Sequence, residues 1–438
     1  MMELLMSLLF MFWLFNFNDL KFSKAIILFG LVSYMMIFVE YYTSSMWIGG
    51  FYFYMDYYSF MLMILSLWIS ACVYMMSLTK FVEVMVLIML ILLIVCFSSL
   101  NLMMFYLMFE ASLLPIFFLI MYGGYSYERY EAAMYMLMYT VVSSMPFLWM
   151  LMLMFFDFKS LNMMVMMCLD LKLEGIMFFL CLLGFFVKLP MFLFHTWLPK
   201  AHVEAPVYGS MILAGLMLKL GSYGMLRMTQ IFYLNMIEWG YLIITLGIVG
   251  GILMSFVCLI QIDMKMLVAY SSVVHMGVMA GGMATMSKIG LTGGLLMMIG
   301  HGLCSSGLFY IVNLSYERFG SRMIYLNKGS MSMYPSLSLF WFLLCSSNLS
   351  APISLNLVSE LFLLMSLVSW SIEVSFLLMV LCFLSAAYSL YLFSMTQHGE
   401  IQVSYMNYKK IYLKDYLMLV LHWIPLNILF MSSMAFMA

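Results

Sequence analysis

About fourteen apolar stretches follow one another along this chain, each separated from the next by a short polar, glycine- or proline-containing break. Such a chain has little to present to water, because soluble domains carry about 25% charged residues. This one carries 8% and is 66% hydrophobic. A helix needs roughly 20 apolar residues to cross a bilayer. The sequence therefore predicts an all-α polytopic membrane protein with about fourteen transmembrane helices.

Hydropathy and the breaks between apolar runs place the spans. They are 4–17, 25–40, 58–78, 82–98, 101–122, 130–156, 175–196, 207–229, 241–260, 266–284, 292–317, 335–370, 372–397 and 414–435. The seventh is interrupted by Pro190, and the twelfth, which is too long for one straight helix, by Pro352. Since proline removes a helical hydrogen bond, both are predicted to be broken helices. The seventh and twelfth spans are an odd number of spans apart, so they enter the membrane from opposite sides. Broken helices arranged in this way are typical of proteins whose two halves have inverted topology around an ion site.

The basic residues test this span count. With the N-terminus outside, the inside loops hold Lys21, Lys24, Lys80, Arg129, Lys200, Lys265, Arg318, Arg322, Lys328, Lys409, Lys410 and Lys414. The outside loops hold Lys159, Lys172, Arg227 and Lys288. This positive-inside bias supports the alternation of the spans and the orientation. The net charge of −1 offers no basic face to nucleic acid.

Four charged residues fall well inside predicted spans. They are Glu110 in LMFEASLLP, Lys188 in GFFVKLP, Lys219 in GLMLKLG and Glu360 in LVSELFLL. Each costs about 3 kcal/mol to insert unless it is paired or hydrated. The bland interpretation is a structural, salt-bridged charge, but as a set they indicate a charge-carrying path. Because Pro190 frees backbone groups near Lys188, we hypothesise a Glu110–Lys188 switch that holds and releases a proton.

Histidines and hydroxyls could extend this path. Ser271 and Ser272 precede His275 by four and three residues, and Ser305 follows His301 by four. The alternative is a pair of hydrogen-bonded core histidines, and a haem is disfavoured. Four further charges are interpreted as surface charges at loop ends: Lys200, Glu204, Asp263 and Lys265. The two remaining histidines near the seventh span, His195 and His202, are interpreted as stabilising the loop there.

No cofactor motif is present, and the eight cysteines are scattered without a CxxC pair. The chain is thus not expected to carry out redox chemistry alone. Its 56 methionines are typical of the animal mitochondrial code, which favours an organelle-encoded protein without an import peptide. The sequence leaves the structure of two loops undecided. Loop 41–57 is either an aromatic patch or a short hairpin, and loop 157–174 is either an amphipathic surface helix or a plain connection.

Three stretches resemble the antiporter-like subunits of respiratory complex I: FFVKLPMFLFHTWLPKAHVEAPVYGSMILAGLMLKLG, QIDMKMLVAYSSVVHMG and MIGHGLCSSGLFYIVNLSYERFGSR. The resemblance covers about 102–400 and is specific, whereas 1–80 and the C-terminal end match weakly. It implies two inverted five-helix repeats containing broken helices, and proton translocation by buried Glu, Lys and His. On the matching motifs these are Glu110, Lys188, Lys219 and Glu360, with His275 and His301 as proton relay.

The resemblance also implies an organisation and partners. N-terminal helices would occupy 1–80, the first repeat 81–230, the inverted repeat 240–400, and a C-terminal loop and last helix 401–438. NAD, FMN, iron–sulfur clusters and ubiquinone would be bound by other subunits, with antiporter-like subunits 2 and 5 as neighbours in the mitochondrial inner membrane. The alternatives are an Mrp-like cation/proton antiporter subunit and a purely structural bundle.

Overall fold

The computed structural model describes residues 2–14, 21–38, 47–49, 53–76, 78–124, 126–169, 171–400 and 410–431. The chain divides into two compact units. Unit 1 comprises Met1–Leu189 and Glu204–Asn235, and unit 2 comprises Pro190–Val203 and Met236–Ala438. Residues 15–17 of the first predicted span, part of loop 41–57, Lys409 and the end of the last span at 432–435 lie outside the described residues.

Within its described residues, unit 1 is helical apart from one short hairpin and its connecting turns. Its elements are α1 (Met2–Leu14), α2 (Lys21–Ile37), β1 (Trp47–Gly49), β2 (Phe53–Met55), α3 (Tyr57–Tyr74), α4 (Lys80–Ser98), α5 (Leu102–Ala111), α6 (Leu113–Gly123), α7 (Arg129–Phe158), α8 (Met163–Met167), α9 (Gly175–Lys188), α11 (Val207–Ile212), a π-helical turn (Leu213–Met217) and α12 (Leu218–Ile231). The strands pair antiparallel, with Ile48 opposite Tyr54. The hairpin alternative for loop 41–57 is therefore confirmed.

Unit 2 holds the remaining helices. They are α10 (Trp197–Glu204), α13 (Tyr233–Ile260, from Met236 onward), α14 (Met264–Ala284), α15 (Lys288–Phe319), a 3₁₀ turn (Ile324–Asn327), α16 (Ser330–Met333), α17 (Pro335–Asn348), α18 (Leu355–Trp370), α19 (Val374–Gln397) and α20 (Leu413–Met431). Helix α15 packs against α14, α18 and α20 and is buried over most of its length.

Ten helices within the described residues are long and apolar enough to cross a membrane. Shorter apolar helices add Ser23–Ile37, Gly175–Lys188 and Leu355–Trp370. This agrees with a polytopic, nearly all-helical membrane protein. In the described part of loop 157–174, α7 ends at Phe158 and α8 covers only Met163–Met167. Five residues are too few for the amphipathic surface helix, so the structure favours the plain connection.

Both spans predicted to be broken, the seventh and the twelfth, are broken in the structure. Helix α9 ends at Lys188, and the chain turns through Leu193, which has a φ of 83°, before α10 begins. The twelfth span divides into α17 and α18, and the connection contains Ser350 and Ile353 at φ values of 62° and 70°. Two non-glycine residues in the left-handed region form a strained connection that persists only when its surroundings hold it.

The connection between α9 and α10 is fixed by aromatic rings within unit 2. His202 is fully buried and stacks on Phe309 with ring centroids 4.5 Å apart. His195 stacks on Phe192 at 5.9 Å. Both contacts support the prediction that these histidines stabilise the loop.

Several basic residues assigned to loops are instead buried. In unit 1, Lys24 is 3% exposed and pairs with Glu83 at 2.6 Å, while Arg227 is 2% exposed and pairs with Asp56. These partners are separated by 59 and 171 residues, so hydropathy could not reveal them. Burial is tolerated because each charge meets an opposite one.

The same correction applies in unit 2. Lys265, predicted as a surface charge, is 7% exposed, and its Nζ lies 3.5 Å from the carbonyl oxygen of Val203. Arg322 donates to the same oxygen at 2.8 Å. That carbonyl lies in the last turn of α10, where the helix dipole favours cations. Arg318, also assigned to a loop, is 3% exposed and pairs with Asp415 at 3.5 Å.

Candidate functional site

Lys188 lies at the end of α9, where the helix stops, and is 2% exposed. Its ammonium donates to the carbonyl oxygen of Phe109 at 2.5 Å and lies 3.1 Å from the centroid of the Phe109 ring. A backbone carbonyl and a ring face compensate only part of the lost hydration of a cation. The charge is therefore held in place without being neutralised by these two contacts.

The Phe109 carbonyl is exposed to Lys188 because the helix is interrupted there. Helices α5 and α6 are separated by a turn at Ser112, whose hydroxyl donates to the same carbonyl at 2.7 Å. Pro115 has no N–H group to donate to the Ala111 carbonyl, so one backbone hydrogen bond of the helix is missing at this point. The sequence LMFEASLLP thus builds an interrupted helix beside a buried acid.

Glu110 is the acidic group beside Lys188 and interacts with it electrostatically. Its Oε1 atom is buried and has no hydrogen-bond partner in the part of the chain that the structure describes. A buried carboxyl oxygen without a partner is costly, so it marks a position where water or a proton is expected. The structure thus places two of the predicted site residues together.

Lys219 is fully buried in α12, directly after the π-helical turn. Its ammonium donates to the carbonyl oxygen of Ala214 at 2.7 Å, five residues earlier. A π turn displaces carbonyls from the regular ladder, and such turns are frequent at functional sites. The sequence run GSMILAGLMLKLG gives no visible signal for this turn.

Gly221 fixes α12 against the end of α9. A Cβ atom at this position would lie 2.6 Å from the Leu189 nitrogen and 3.0 Å from the Lys188 carbonyl carbon. We expect Gly221→Ala to push the two helices apart and to destabilise the protein by about 1–3 kcal/mol, the usual cost of overpacking. Thermal denaturation of the assembled protein checks this. Gly30→Ala is the matched control, because nothing lies within 4 Å of a Cβ there, and equal effects of the two would contradict the prediction.

Unit 2 contains a second group of site residues centred on His275. Its Nδ1 lies 3.2 Å from Glu360 Oε1, and its ring centroid lies 5.9 Å from that of His301. Glu360 Oε2 accepts from the Ser350 hydroxyl at 2.7 Å. The strained connection before α18 therefore contributes directly to holding this carboxylate.

Tyr388 completes this group, although no sequence feature singles it out. The side chain is fully buried on α19, and its hydroxyl lies 3.2 Å from His275 Nε2. With Glu360 ionised, Nδ1 of His275 donates to it, because a carboxylate only accepts. Nε2 then accepts from the tyrosine when neutral and donates to it when protonated. Tyr388 thus fits both charge states of the imidazole.

The serines that share a helical face with the histidines do not donate to the imidazoles. Ser271 and Ser272 donate to Val268 and Ala269 at 2.7 Å, and Ser305 donates to the backbone carbonyl of His301 at 2.6 Å. A small cavity with room for about one water molecule lies beside His275 and Glu360 instead. It is lined by Met297, Leu381, Cys382 and Ser385, among others.

Removing the Tyr388 hydroxyl tests this geometry. We expect Tyr388→Phe to keep the fold, because the ring is retained, and to slow any proton transfer through His275 by about tenfold, or about 1.4 kcal/mol. The measurement is proton movement across the membrane by the assembled protein. Tyr391→Phe, on the same helix, is the control. An unchanged rate in Tyr388→Phe would contradict the role of the hydroxyl.

Both groups of residues contain side-chain types that are used in proton transfer, namely carboxyl, ammonium and imidazole groups. Among the described residues, no three or more His, Cys, Asp or Glu side chains lie together as metal ligands.

Comparison with known proteins adds a family and a fold. Residues 99–386 match the family described as NADH:quinone oxidoreductase/Mrp antiporter, TM. The chain is 49% identical to NADH-ubiquinone oxidoreductase chain 4 of Ceratitis capitata, covering 80% of this chain and 78% of that one. It is 43% identical to the protein of that name from Locusta migratoria, covering 91% of each.

Two solved structures share the fold. One is respiratory complex I from Thermus thermophilus with bound NADH, with a TM-score of 0.85, 22% identity and coverage of 99% of this chain and 98% of that chain. The other is the Mrp complex from Dietzia sp., with a TM-score of 0.83, 15% identity and coverage of 98% and 95%. The fold of this chain is therefore shared by a chain of respiratory complex I and a chain of an Mrp complex.

Proposed function

This chain belongs to the NADH:quinone oxidoreductase/Mrp antiporter transmembrane family, and we propose that it is a core membrane-arm subunit of respiratory complex I. In this role it translocates protons across the membrane as part of the NADH:ubiquinone reductase enzyme. NADH oxidation and ubiquinone reduction take place in other subunits, which hold NAD, FMN, iron–sulfur clusters and ubiquinone. Relatives named NADH-ubiquinone oxidoreductase chain 4 at 40–49% identity support this assignment.

The proposed proton-carrying groups are Glu110, Lys188 and Lys219 in unit 1 and His275, His301 and Glu360 in unit 2. The observation that carries the proposal is Lys188, a buried ammonium at a helix break, held by a carbonyl and a ring beside a carboxyl group with an unpartnered oxygen. An incompletely compensated ammonium beside an unpartnered buried oxygen is costly, so a function is expected to account for it.

The proposed switch depends on the distance between Glu110 and Lys188. A carboxylate about 4 Å from an ammonium stabilises it by about 4 kcal/mol at an effective dielectric constant near 20. If a conformational change moves Glu110 away, the lysine loses this stabilisation and releases its proton. Redox energy from the partner subunits would drive that movement.

The finer architecture belongs to the same proposal. We infer fourteen spans, with N-terminal helices in 1–80, inverted repeats in 81–230 and 240–400, and a last helix in 401–438. Antiporter-like subunits 2 and 5 are the proposed neighbours, and the mitochondrial inner membrane is the proposed location. The chain 4 relatives and the methionine-rich composition support these inferences.

The second candidate is an Mrp-like cation/proton antiporter subunit, favoured by the structural likeness to the Mrp complex. Purification of the native assembly distinguishes the two. Co-purification with NADH- and quinone-reactive subunits, together with proton pumping that requires NADH oxidation, is expected for complex I. Cation-driven proton exchange by an assembly without redox subunits would establish the antiporter instead.

A further inference from the structure

One face of α15 contacts polar groups of α17, α18 and α20 along most of its length. Gly300, Cys304, Gly307 and Tyr310 recur at spacings of three and four residues, which places them on one face. Arg318 continues the same face toward the end of the helix that is predicted to lie inside. From Gly300 to Arg318 the face spans about 27 Å along the axis. We call the contacts of this face with α17, α18 and α20 the α15 seam.

The inside end of the α15 seam is an ion-pair cluster. Asp415, in the first turn of α20, accepts from the Tyr310 hydroxyl at 2.9 Å and lies 3.5 Å from Arg318 Nη2. The Nε atom of Arg318 is buried and has no hydrogen-bond partner within the described part of the chain. Asp415 balances the arginine charge, so the cluster does not repel an approaching proton as a lone cation would.

His422 lies two turns further along α20, on the same helical face as Asp415, and is fully buried. Its Cβ lies against Gly307, where a Cβ atom would be 3.2 Å away. Nδ1 lies 2.7 Å from the Met418 carbonyl, which can only accept, so Nδ1 carries the proton. Nε2 is left as a free lone pair, and it has no hydrogen-bond partner among the described residues.

Beyond His422 the seam continues through α17 to α18. Cys304 Sγ lies 3.2 Å from the Ser347 hydroxyl, and the Asn356 amide donates to the Ser347 carbonyl at 2.8 Å. The Asn356 Oδ1 atom faces Gly300 and, among the described residues, is the third buried polar atom of the seam without a hydrogen-bond partner. Gly300 directly precedes His301, so the seam ends at the proposed proton relay.

We propose that the α15 seam binds a file of water molecules that carries protons between the Asp415–Arg318 cluster and His301. The donor Nε of Arg318, the acceptor Nε2 of His422 and the acceptor Oδ1 of Asn356 are the anchoring atoms of that file. Buried polar groups without protein partners are normally satisfied by internal water. Three such atoms, from α15, α20 and α18, lie along the α15 seam. The direction in which protons move along this file rests on the proposed function. The positions of the water molecules do not depend on it.

The first test is an experimental structure of the native assembly at a resolution that resolves ordered water. Water is expected within about 3 Å of His422 Nε2 and of Arg318 Nε. A seam filled by side chains or lipid, with no water at either atom, would overturn the proposal whatever the pumping data show.

The second test is redox-driven proton pumping by assembled variants in vesicles. His422→Leu removes the anchor and is expected to slow pumping about tenfold. His422→Gln, which keeps a donor and an acceptor, should restore most of the rate. Leu419→Met is the control, since Leu419 is buried on the same helix without a polar group.

If His422→Leu pumps normally while Glu360→Gln, measured alongside, does not, the water file is disproved and the proposed function stands. If both pump normally, the proposed function fails as well. Should His422→Leu not assemble, the water structure of the native protein decides.

Discussion

Lys188→Met is expected to leave the complex assembled and oxidising NADH, but to reduce proton pumping by at least about tenfold, equivalent to 1.4 kcal/mol or more. Methionine fills a similar volume and can lie against the Phe109 ring without a charge to bury. The ammonium that binds the Phe109 carbonyl is lost, and with it the proton that Glu110 is proposed to control. The measurement is protons moved per electron in vesicles.

Two comparisons make this result specific. Lys288→Met removes an exposed lysine at the start of α15 and should pump normally. Glu110→Gln should slow pumping by itself, and the Lys188→Met/Glu110→Gln double variant should be little worse than either single one, because coupled residues are not additive. A normal proton-to-electron ratio in the assembled Lys188→Met complex would rule out the switch.

Glu360→Gln is expected to have an effect of similar size, at least about tenfold on pumping. The amide can still accept from Ser350, so the connection before α18 keeps its hydrogen bond. The negative charge 3.2 Å from His275 Nδ1 is lost, so the proposed proton relay loses its charged acceptor. Proton pumping and quinone reduction are measured together, to separate a pumping defect from a redox defect.

The control for Glu360 is Glu373→Gln, an exposed carboxylate before α19. Glu373→Gln removes one negative charge, as Glu360→Gln does, but this charge has no contact with the His275 group. Proton pumping by this variant should therefore be unchanged. Equal behaviour of the two variants would favour the structural-bundle alternative, in which neutralising the buried charges has no effect.

The sequence was sufficient for those parts of the molecule that depend on local chemistry. Long apolar runs can only be satisfied in a bilayer as helices, because every backbone group must be paired internally. Pro190 and Pro352 predicted the two breaks, because each removes a helical hydrogen bond, whereas Pro146 and Pro425 lie inside continuous helices. Lys188 and Lys219 stood out because their neighbours are apolar, and both are buried in the structure.

Groups whose surroundings come from distant parts of the chain could not be predicted. Arg227 and Lys265 border apolar runs and resemble loop charges, yet the fold buries both beside Asp56 and Val203. Tyr388 is one of 30 tyrosines, and it is distinguished by a distance to a histidine 113 residues away.

The sequence by itself thus determined the class of protein, the broken helices and the charges placed at them, because insertion cost and proline geometry act within a single turn or span. Only the tertiary structure decided which carbonyl faces Lys188, that a π turn precedes Lys219, and that Tyr388 and Ser350 flank His275 and Glu360. Hydrogen bonds are satisfied over about 3 Å, and side chains separated by many residues reach that distance only when the helices pack.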